Sequence, residues 1–166
     1  MTAERPPRAL VACIGSSLVS DDRVGEAVYR RLTASARLPA TTRVVQLGVG
    51  GTDLVEELRA EELLVVVDAL RVGAPPGSVH VIDWSQVEEA PTARPLAHDV
   101  GLPQALELTR ALYPERAPRR SLLVGVQGRC FDRIGEMSSE VAAAVDEAVE
   151  TVIGLVEGGV WPYSAK

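Results

Sequence analysis

The chain alternates short, valine-rich apolar runs with longer segments in which apolar positions recur at helical spacing. Short apolar runs between turn residues are typical of buried strands, and the longer periodic segments are typical of amphipathic helices. The predicted strands are residues 8–14, 42–47, 62–68, 78–83 and 121–126. The predicted helices are residues 21–34, 53–60, 103–113 and 138–157. Serine caps are expected at Ser20 for the first helix and at Ser138 or Ser139 for the last.

The link between the third and fourth strands determines the topology. Residues 69–77 contain Gly73, Pro75, Pro76 and Gly77. A parallel crossover needs about a dozen residues or more, usually with a helix, so this turn-rich link predicts an antiparallel fourth strand. The predicted fold class is α/β, with a mostly parallel five-stranded sheet, one antiparallel strand and helices on both faces. A single domain is expected over residues 1–166.

Composition narrows the class of protein. Of the 166 residues, 46% are hydrophobic and 4% are aromatic, which is enough for a sizeable core of aliphatic side chains. The net charge of −6 argues against a nucleic-acid binder, because such proteins concentrate basic side chains. Cys13 and Cys130 lack a C-x-x-C spacing and are expected to be buried, reduced thiols. The apolar stretch near the N-terminus is too short to span a membrane, so a cytoplasmic protein without a membrane partner is expected.

Three residues are candidates for chemistry, namely Asp22, Asp68 and His98. Asp22 follows the first predicted strand, Asp68 ends the third, and His98 precedes Pro103, which suits a first helical turn. In open α/β sheets, the loops at the carboxyl ends of neighbouring strands meet in one crevice. Two carboxylates and an imidazole at that place would form a site suited to zinc, nickel or manganese, with positions left for water or substrate.

Simpler interpretations of the same residues stay open at this point. Asp21 and Asp22 could serve only to complement the positive end of the first helix. An aspartate after an apolar run could serve only to hydrogen-bond the following turn, and a lone histidine is more often structural than a ligand. His80, the other histidine, alternates with valines and is predicted to face solvent from its strand.

A series of short motifs runs along nearly the whole chain in a consistent order. They are GSSLVSDDRVG at 15–25, GGTDL at 50–54, the strand-end aspartate at 68, PGSV at 76–79, HDVGL at 98–102, GVQG at 125–128 and the serine-led helix from 138. Together these segments resemble the hydrogenase maturation proteases, the endopeptidases that trim the C-terminus of nickel-iron hydrogenase large subunits.

The resemblance implies that Asp22, Asp68 and His98 bind a metal ion and carry the catalysis. The metal would be nickel carried by the substrate, or another divalent metal such as zinc at the same site. The implied partner is a hydrogenase large-subunit precursor, whose C-terminal extension is removed after nickel insertion. Bound nickel would help dock the precursor, so an unloaded precursor would bind less well. The attacking group is not assigned; water acting on a metal-polarised carbonyl is the simplest route.

The chain departs from the family pattern at a few positions. They are Ser16 in place of Asn, Cys13 in place of a common Gly, Gly128 in place of Pro, and Arg23 in place of a small residue. The lost amide at position 16 motivates a second hypothesis, a metal-dependent binding module that recognises the precursor without cutting it. A Rossmann-type nucleotide binder is disfavoured because no G-x-G-x-x-G follows the first strand. Gly25 is predicted to let the first helix pack close to the sheet.

Overall fold

The computed structural model describes residues 8–49, 51–88 and 102–158. The strands are β1 Ala9–Cys13, β2 Thr42–Gln46, β3 Leu63–Leu70, β4 Val79–Asp83 and β5 Arg120–Gln127. The helices are α1 Val24–Thr33, α2 Leu54–Glu57, α3 Trp84–Glu88, α4 Leu102–Leu112 and α5 Ser139–Val156. Short 3-10 helices cover Ser20–Arg23, Gly51–Asp53 and Pro114–Arg116. Within these three ranges, no helix has the length and apolar character of a membrane span.

The five strands form one sheet in the order β2-β1-β3-β5-β4. β1 pairs in parallel with β2 and β3, β3 pairs in parallel with β5, and β4 runs antiparallel to β5. The predicted fold class is therefore confirmed, including the reversed strand. The turn before β4 contains Gly77, whose φ of +83° suits glycine, and its N–H donates to the Gln127 carbonyl at 2.8 Å.

His80 is less exposed than the solvent-facing position that the sequence predicted. It lies on β4 opposite Gly125 and is half-buried, and its Nε2 is 2.8 Å from the Ser78 hydroxyl oxygen. Although β4 is an edge strand of the sheet, helices cover both of its faces, so alternation with valine does not place His80 in water.

Two apolar layers sandwich the sheet. Alternate side chains of a strand point to opposite faces, so Val65 and Val67 of β3 pack in the layer that includes α1 and α5. Leu64 and Val66 pack in the opposite layer, with α2, α4 and Trp84 of α3. Every residue of β3 is buried, as expected for a central parallel strand. The sequence did not predict α3, which has only five residues.

The predicted ends of the third strand and the second helix are wrong, because contacts with distant segments set them. β3 does not end at Asp68 but continues to Leu70, because β5 goes on pairing with it through Gln127. The second predicted helix ends early, at Glu57, after which Leu58 is extended. There the Arg116 side chain donates to the Leu58 and Val55 carbonyls at 3.0 Å each, which satisfies the free carbonyls of a short helix end.

The serines at helix starts do not cap as predicted. Ser20 is the first residue of the 3-10 helix, and its hydroxyl donates to the Glu136 carbonyl at 3.0 Å. Ser138 does occupy the N-cap position of α5, but it makes no side-chain cap hydrogen bond. Its hydroxyl donates to Asp21 instead, at 3.0 Å. In both cases a distant segment competes successfully for the hydroxyl.

Candidate functional site

Asp22 sits in the turn that follows β1, and the backbone around it is tightly organised. Its side chain is 4% exposed, and Oδ2 accepts the Ser16 N–H at 2.8 Å. The Ser16 hydroxyl oxygen in turn accepts the N–H groups of Leu18 at 3.0 Å and Val19 at 3.2 Å. Serine at position 16, where the family usually has asparagine, thus supplies the acceptor that shapes this loop.

Two glycines allow the chain to fold this closely around Asp22. Gly15 has a φ of +147°, and a Cβ there would lie 2.2 Å from the Asp22 carbonyl oxygen. A Cβ on Gly25 would lie 1.9 Å from the Ile14 carbonyl oxygen. Both distances are far shorter than any real carbon–oxygen contact, so a side chain at either position would displace backbone. The close packing predicted for Gly25 is confirmed.

Asp68 lies on the neighbouring strand at the same end of the sheet. It is fully buried, and Oδ1 accepts the Ala69 N–H at 2.8 Å. The ladder between β1 and β3 ends at Cys13 opposite Val67, so Asp68 is the first residue of β3 beyond that ladder. The Ser20–Arg23 turn, which carries Asp22, contacts β3. The structure therefore places Asp22 and Asp68 at the carboxyl ends of two neighbouring parallel strands.

His98 lies outside the described residues. Leu102, four positions later in the chain, begins α4 and packs in the same layer as Leu64 and Val66 of β3. By the alternation of β3, Asp68 faces that layer too. Among the residues that the structure describes, no group of three or more His, Cys, Asp or Glu side chains is arranged to hold a metal ion.

Asp21 does more than complement the positive end of the first helix. Its carboxylate is fully buried and accepts four hydrogen bonds. Oδ1 accepts the Ser138 N–H at 2.7 Å. Oδ2 accepts the N–H groups of Arg129 at 2.7 Å and Cys130 at 2.8 Å, together with the Ser138 hydroxyl at 3.0 Å. Asp21 thus fastens the segment between β5 and α5 to the turn that carries Asp22.

These hydrogen bonds also decide the charge of Asp21. Burial by itself would raise the pKa of the carboxyl, but the donors from Ser138, Arg129 and Cys130 together outweigh it and hold the pKa below its ordinary value. Asp21 is therefore an anion at neutral pH. Nothing in the sequence distinguishes this structural aspartate from its neighbour Asp22, because the donors come from residues more than a hundred positions away.

Gly128, which stands where the family usually has proline, is explained by its neighbour Phe131. A Cβ on Gly128 would lie 2.2 Å from the Phe131 ring, so the absence of a side chain lets the ring fold back over the backbone. The guanidinium carbon of Arg71 lies 4.1 Å from the centre of that ring, in the geometry of a cation–π contact. The packing of Phe131 in the loop after β5 thus requires glycine at position 128.

The two cysteines differ, against expectation. Cys13 is fully buried, and burial raises the pKa of its thiol, so it stays protonated and serves packing. Cys130, expected to be buried, is partly exposed and lies in the segment after β5. Its Sγ lies 3.2 Å from Asp132 Oδ1 and accepts the Arg133 Nε–H at 3.2 Å.

Comparison with known proteins assigns the family. The family model described as hydrogenase maturation protease matches residues 26–155. The chain belongs to the hydrogenase maturation protease family. The hydrogenase expression/formation protein HupM of Azotobacter chroococcum mcd 1 is 30% identical over 157 residues, which cover 93% of this chain and 74% of HupM.

Solved structures agree. The hydrogenase maturating endopeptidase HybD from Escherichia coli superposes with a TM-score of 0.80 over 91% of this chain and 93% of HybD, and at 23% identity it supports the fold. The [NiFe] hydrogenase maturation protease HybD from Thermococcus kodakarensis superposes with a TM-score of 0.76 at 28% identity. The superposition covers 90% of this chain and 99% of the Thermococcus chain. The resemblance read from the sequence is confirmed: the chain is an endopeptidase of the hydrogenase maturation type.

Proposed function

We propose that this protein removes the C-terminal extension of a nickel-iron hydrogenase large-subunit precursor after nickel has been inserted. The observation that carries the proposal is the pair of buried carboxylates, Asp22 and Asp68, at one end of neighbouring strands in a member of this family. Each carboxylate is held in place by a backbone N–H, from Ser16 to Asp22 and from Ala69 to Asp68. Carboxylates positioned in neighbouring elements are ligands that divalent cations commonly take. A cytoplasmic location, where the precursor would be processed, is part of this proposal.

The donors suit the metal that the proposal needs. Carboxylate oxygens together with an imidazole nitrogen accommodate nickel, zinc or manganese. Asp22, Asp68 and His98 would hold the ion, which is nickel brought by the precursor as part of the substrate, or zinc. The Ser16 N–H orients Asp22 and the Ala69 N–H orients Asp68. A bound divalent cation would supply Lewis-acid polarisation of the scissile carbonyl.

The two departures that motivated the alternative, a binding module that does not cut, each have a structural role that leaves the carboxylate pair in place. That alternative rested on the departures at Ser16 and Gly128. The Ser16 hydroxyl makes two backbone hydrogen bonds that hold the loop around Asp22. Gly128 accommodates the ring of Phe131 beyond β5. Neither change removes a side chain from the carboxylate pair.

The test is incubation with the nickel-loaded cognate precursor, with the mass of the subunit measured before and after. The wild type should release a C-terminal peptide. Asp22→Asn, Asp68→Asn and His98→Ala should each lower the rate by more than about a hundredfold, which exceeds the cost of losing an outer partner of a metal ligand. Asp146→Asn, which alters an exposed carboxylate on α5, is the matched control.

The outcomes separate the two hypotheses. A loaded precursor that binds the wild type but keeps its full mass would establish the non-cleaving module. Full activity in Asp68→Asn or in His98→Ala would remove that residue from the ligand set. Nickel-free precursor should bind less tightly than the loaded form, because the site then lacks its cation.

A further inference from the structure

The segment of residues 129–138, here called the arm, is held rigidly against the turn that carries Asp22. Asp21 accepts hydrogen bonds from both ends of the arm. Midway along it, Ile134 forms an antiparallel bridge with Val19, and the Gly135 N–H donates to the Leu18 carbonyl at 3.0 Å. The arm and the Asp22 turn therefore form one unit, and whatever binds the arm is placed at a fixed position relative to Asp22.

Apolar side chains project from the outer face of this unit. Ile134 is 77% exposed and Leu18 is 60% exposed, and the bridge brings their backbones together. Two large exposed apolar side chains on segments that are hydrogen-bonded to each other are more informative than scattered single ones, because apolar surface of this kind commonly marks interaction sites.

Basic side chains line the cleft beside the arm. Arg71, Arg129 and Arg133 surround a volume of about 370 Å³, and Asp132 is the acidic residue among the lining residues. Arg129 pairs with Glu140 and Arg133 lies 4.0 Å from Asp132, so the three arginines face two carboxylates and positive charge remains in excess, in a chain whose net charge is −6. Guanidinium groups match carboxylates geometrically and can bind them with two parallel hydrogen bonds. The cleft is therefore complementary to an acidic partner.

Local contacts orient these arginines. Arg71 stacks on the Phe131 ring, and Arg129 Nη1 lies 3.1 Å from Glu140 Oε1. The side chain of Arg133 is 78% exposed and is steadied by the Nε contact with Cys130. Groups that are already oriented lose less conformational freedom on binding, which favours affinity.

A second cleft leads from the basic surface to the turn that carries Asp22, and Glu136 and Glu140 also line it. It has a volume of about 520 Å³, shares Arg129 and Arg133 with the first cleft, and reaches Ser20. Ser20 belongs to the same 3-10 turn as Asp22. An extended peptide that follows both clefts would thus lead from the arginines to the turn that carries Asp22.

We propose that the arm is the docking surface for the hydrogenase precursor, and that a carboxylate-bearing segment of the precursor binds among Arg71, Arg129 and Arg133. An apolar side chain of the same segment lies on Leu18 and Ile134. This inference rests on the proposed function, and it adds the place and the chemistry of substrate recognition.

The first test concerns the arginines. The affinity of the protein for the intact, nickel-loaded precursor is measured by calorimetry over a range of salt concentrations. Arg133→Glu should raise Kd about fivefold or more at low ionic strength, since it replaces an attraction by a repulsion at an exposed site. The difference should largely vanish near 1 M salt, where the Debye length is about 3 Å. Arg31→Glu is the matched control: that arginine is 61% exposed and pairs with Asp146 on α5, and the net charge changes equally.

Ile134→Ser tests the apolar component. It should raise Kd about threefold to tenfold at every salt concentration, because the loss is one of buried apolar area. Leu112→Ser, at a residue 60% exposed on α4, is its control and should leave Kd unchanged. Thermal unfolding should be similar for all four variants, since each altered side chain is exposed.

The outcomes keep this inference apart from the proposed function. If wild type binds and cleaves but Arg133→Glu and Ile134→Ser match their controls, the docking surface is wrong and the protease stands. If wild type binds without cleaving and the two variants bind less well, the docking surface stands and the protease is wrong. An affinity of the wild type that does not depend on salt would overturn the role of the arginines.

Discussion

Gly25 offers the sharpest test of how the fold holds Asp22 in place. It is the second residue of α1, immediately after the turn that contains Asp22. A Cβ at this position would lie 1.9 Å from the Ile14 carbonyl oxygen and 2.8 Å from the Ile14 carbonyl carbon. Gly25→Ala is thus the smallest change that drives α1 away from the end of β1.

The expected magnitude follows from two opposing effects. Alanine is favoured over glycine in a helix by about 1 kcal/mol. Overpacking typically costs about 1–3 kcal/mol, and the upper end applies here because the obstacle is backbone rather than a mobile side chain. The free energy of unfolding should therefore fall by about 2 kcal/mol. For a chain of 166 residues this corresponds to a Tm lower by about 4–8 °C. Gly25→Val, with two further methyl groups, should cost more.

Thermal denaturation followed by circular dichroism measures the effect, and Gly154→Ala is the control. Gly154 lies within α5, and a Cβ there would meet nothing within 4 Å. The same substitution should then raise stability by about 1 kcal/mol. If Gly25→Ala raised Tm as Gly154→Ala does, the close approach of α1 to β1 would be refuted.

Three further predictions concern the loops around the carboxylate pair. Asp21→Asn should lower the free energy of unfolding by about 2 kcal/mol at neutral pH, because a buried anion loses charge-assisted hydrogen bonds. The folded-state pKa of Asp21 lies below the ordinary value of 3.8, so the unfolded chain binds the proton more readily. The stability due to Asp21 is complete above that value and is lost as pH falls through the folded pKa. In urea unfolding, the difference in free energy of unfolding between wild type and Asp21→Asn should therefore shrink at acid pH. A difference that stays constant with pH would contradict this. Ser16→Ala should cost about 1 kcal/mol and slow processing, since two N–H groups lose their acceptor. Ser16→Asn, which keeps an acceptor, should retain activity, and equal activity in both variants would exclude this role for the hydroxyl. Gly128→Ala should cost about 1–3 kcal/mol alone but less than about 0.5 kcal/mol in a Phe131→Ala background. Additive effects on Tm would show that the ring does not occupy the space above Gly128.

The core strands could be predicted from the sequence because a strand that is buried on both faces is a continuous run of apolar residues. β3 and β5 are continuous apolar runs, and their predicted starts differ from the observed ones by one residue. The antiparallel β4 followed from the length and composition of one turn. The ends of strands were harder to predict. Asp68 ends an apolar run in the sequence, but β3 continues to Leu70 because β5 pairs with it as far as Gln127.

Side-chain roles in the loops depended on partners far along the chain. Ser20 and Ser138 have the composition of helix caps, yet their hydroxyls bind Glu136 and Asp21. Asp21 and Asp22 are adjacent and chemically identical, and only the returning segment after β5 makes one of them a structural anion. The sequence cannot encode that distinction locally, because it arises from donors that approach in space.

The amino-acid sequence by itself determined the fold class, the family and the two carboxylates that the structure places at one end of neighbouring strands, because periodicity, turn composition and motif order are local properties. Tertiary structure decided which of the two adjacent buried aspartates accepts hydrogen bonds from the segment after β5, why glycine is needed at positions 15, 25 and 128, and where arginines gather in an acidic chain. These are contacts between segments distant in the chain, and their energies depend on distances of a few tenths of an ångström that no local pattern specifies.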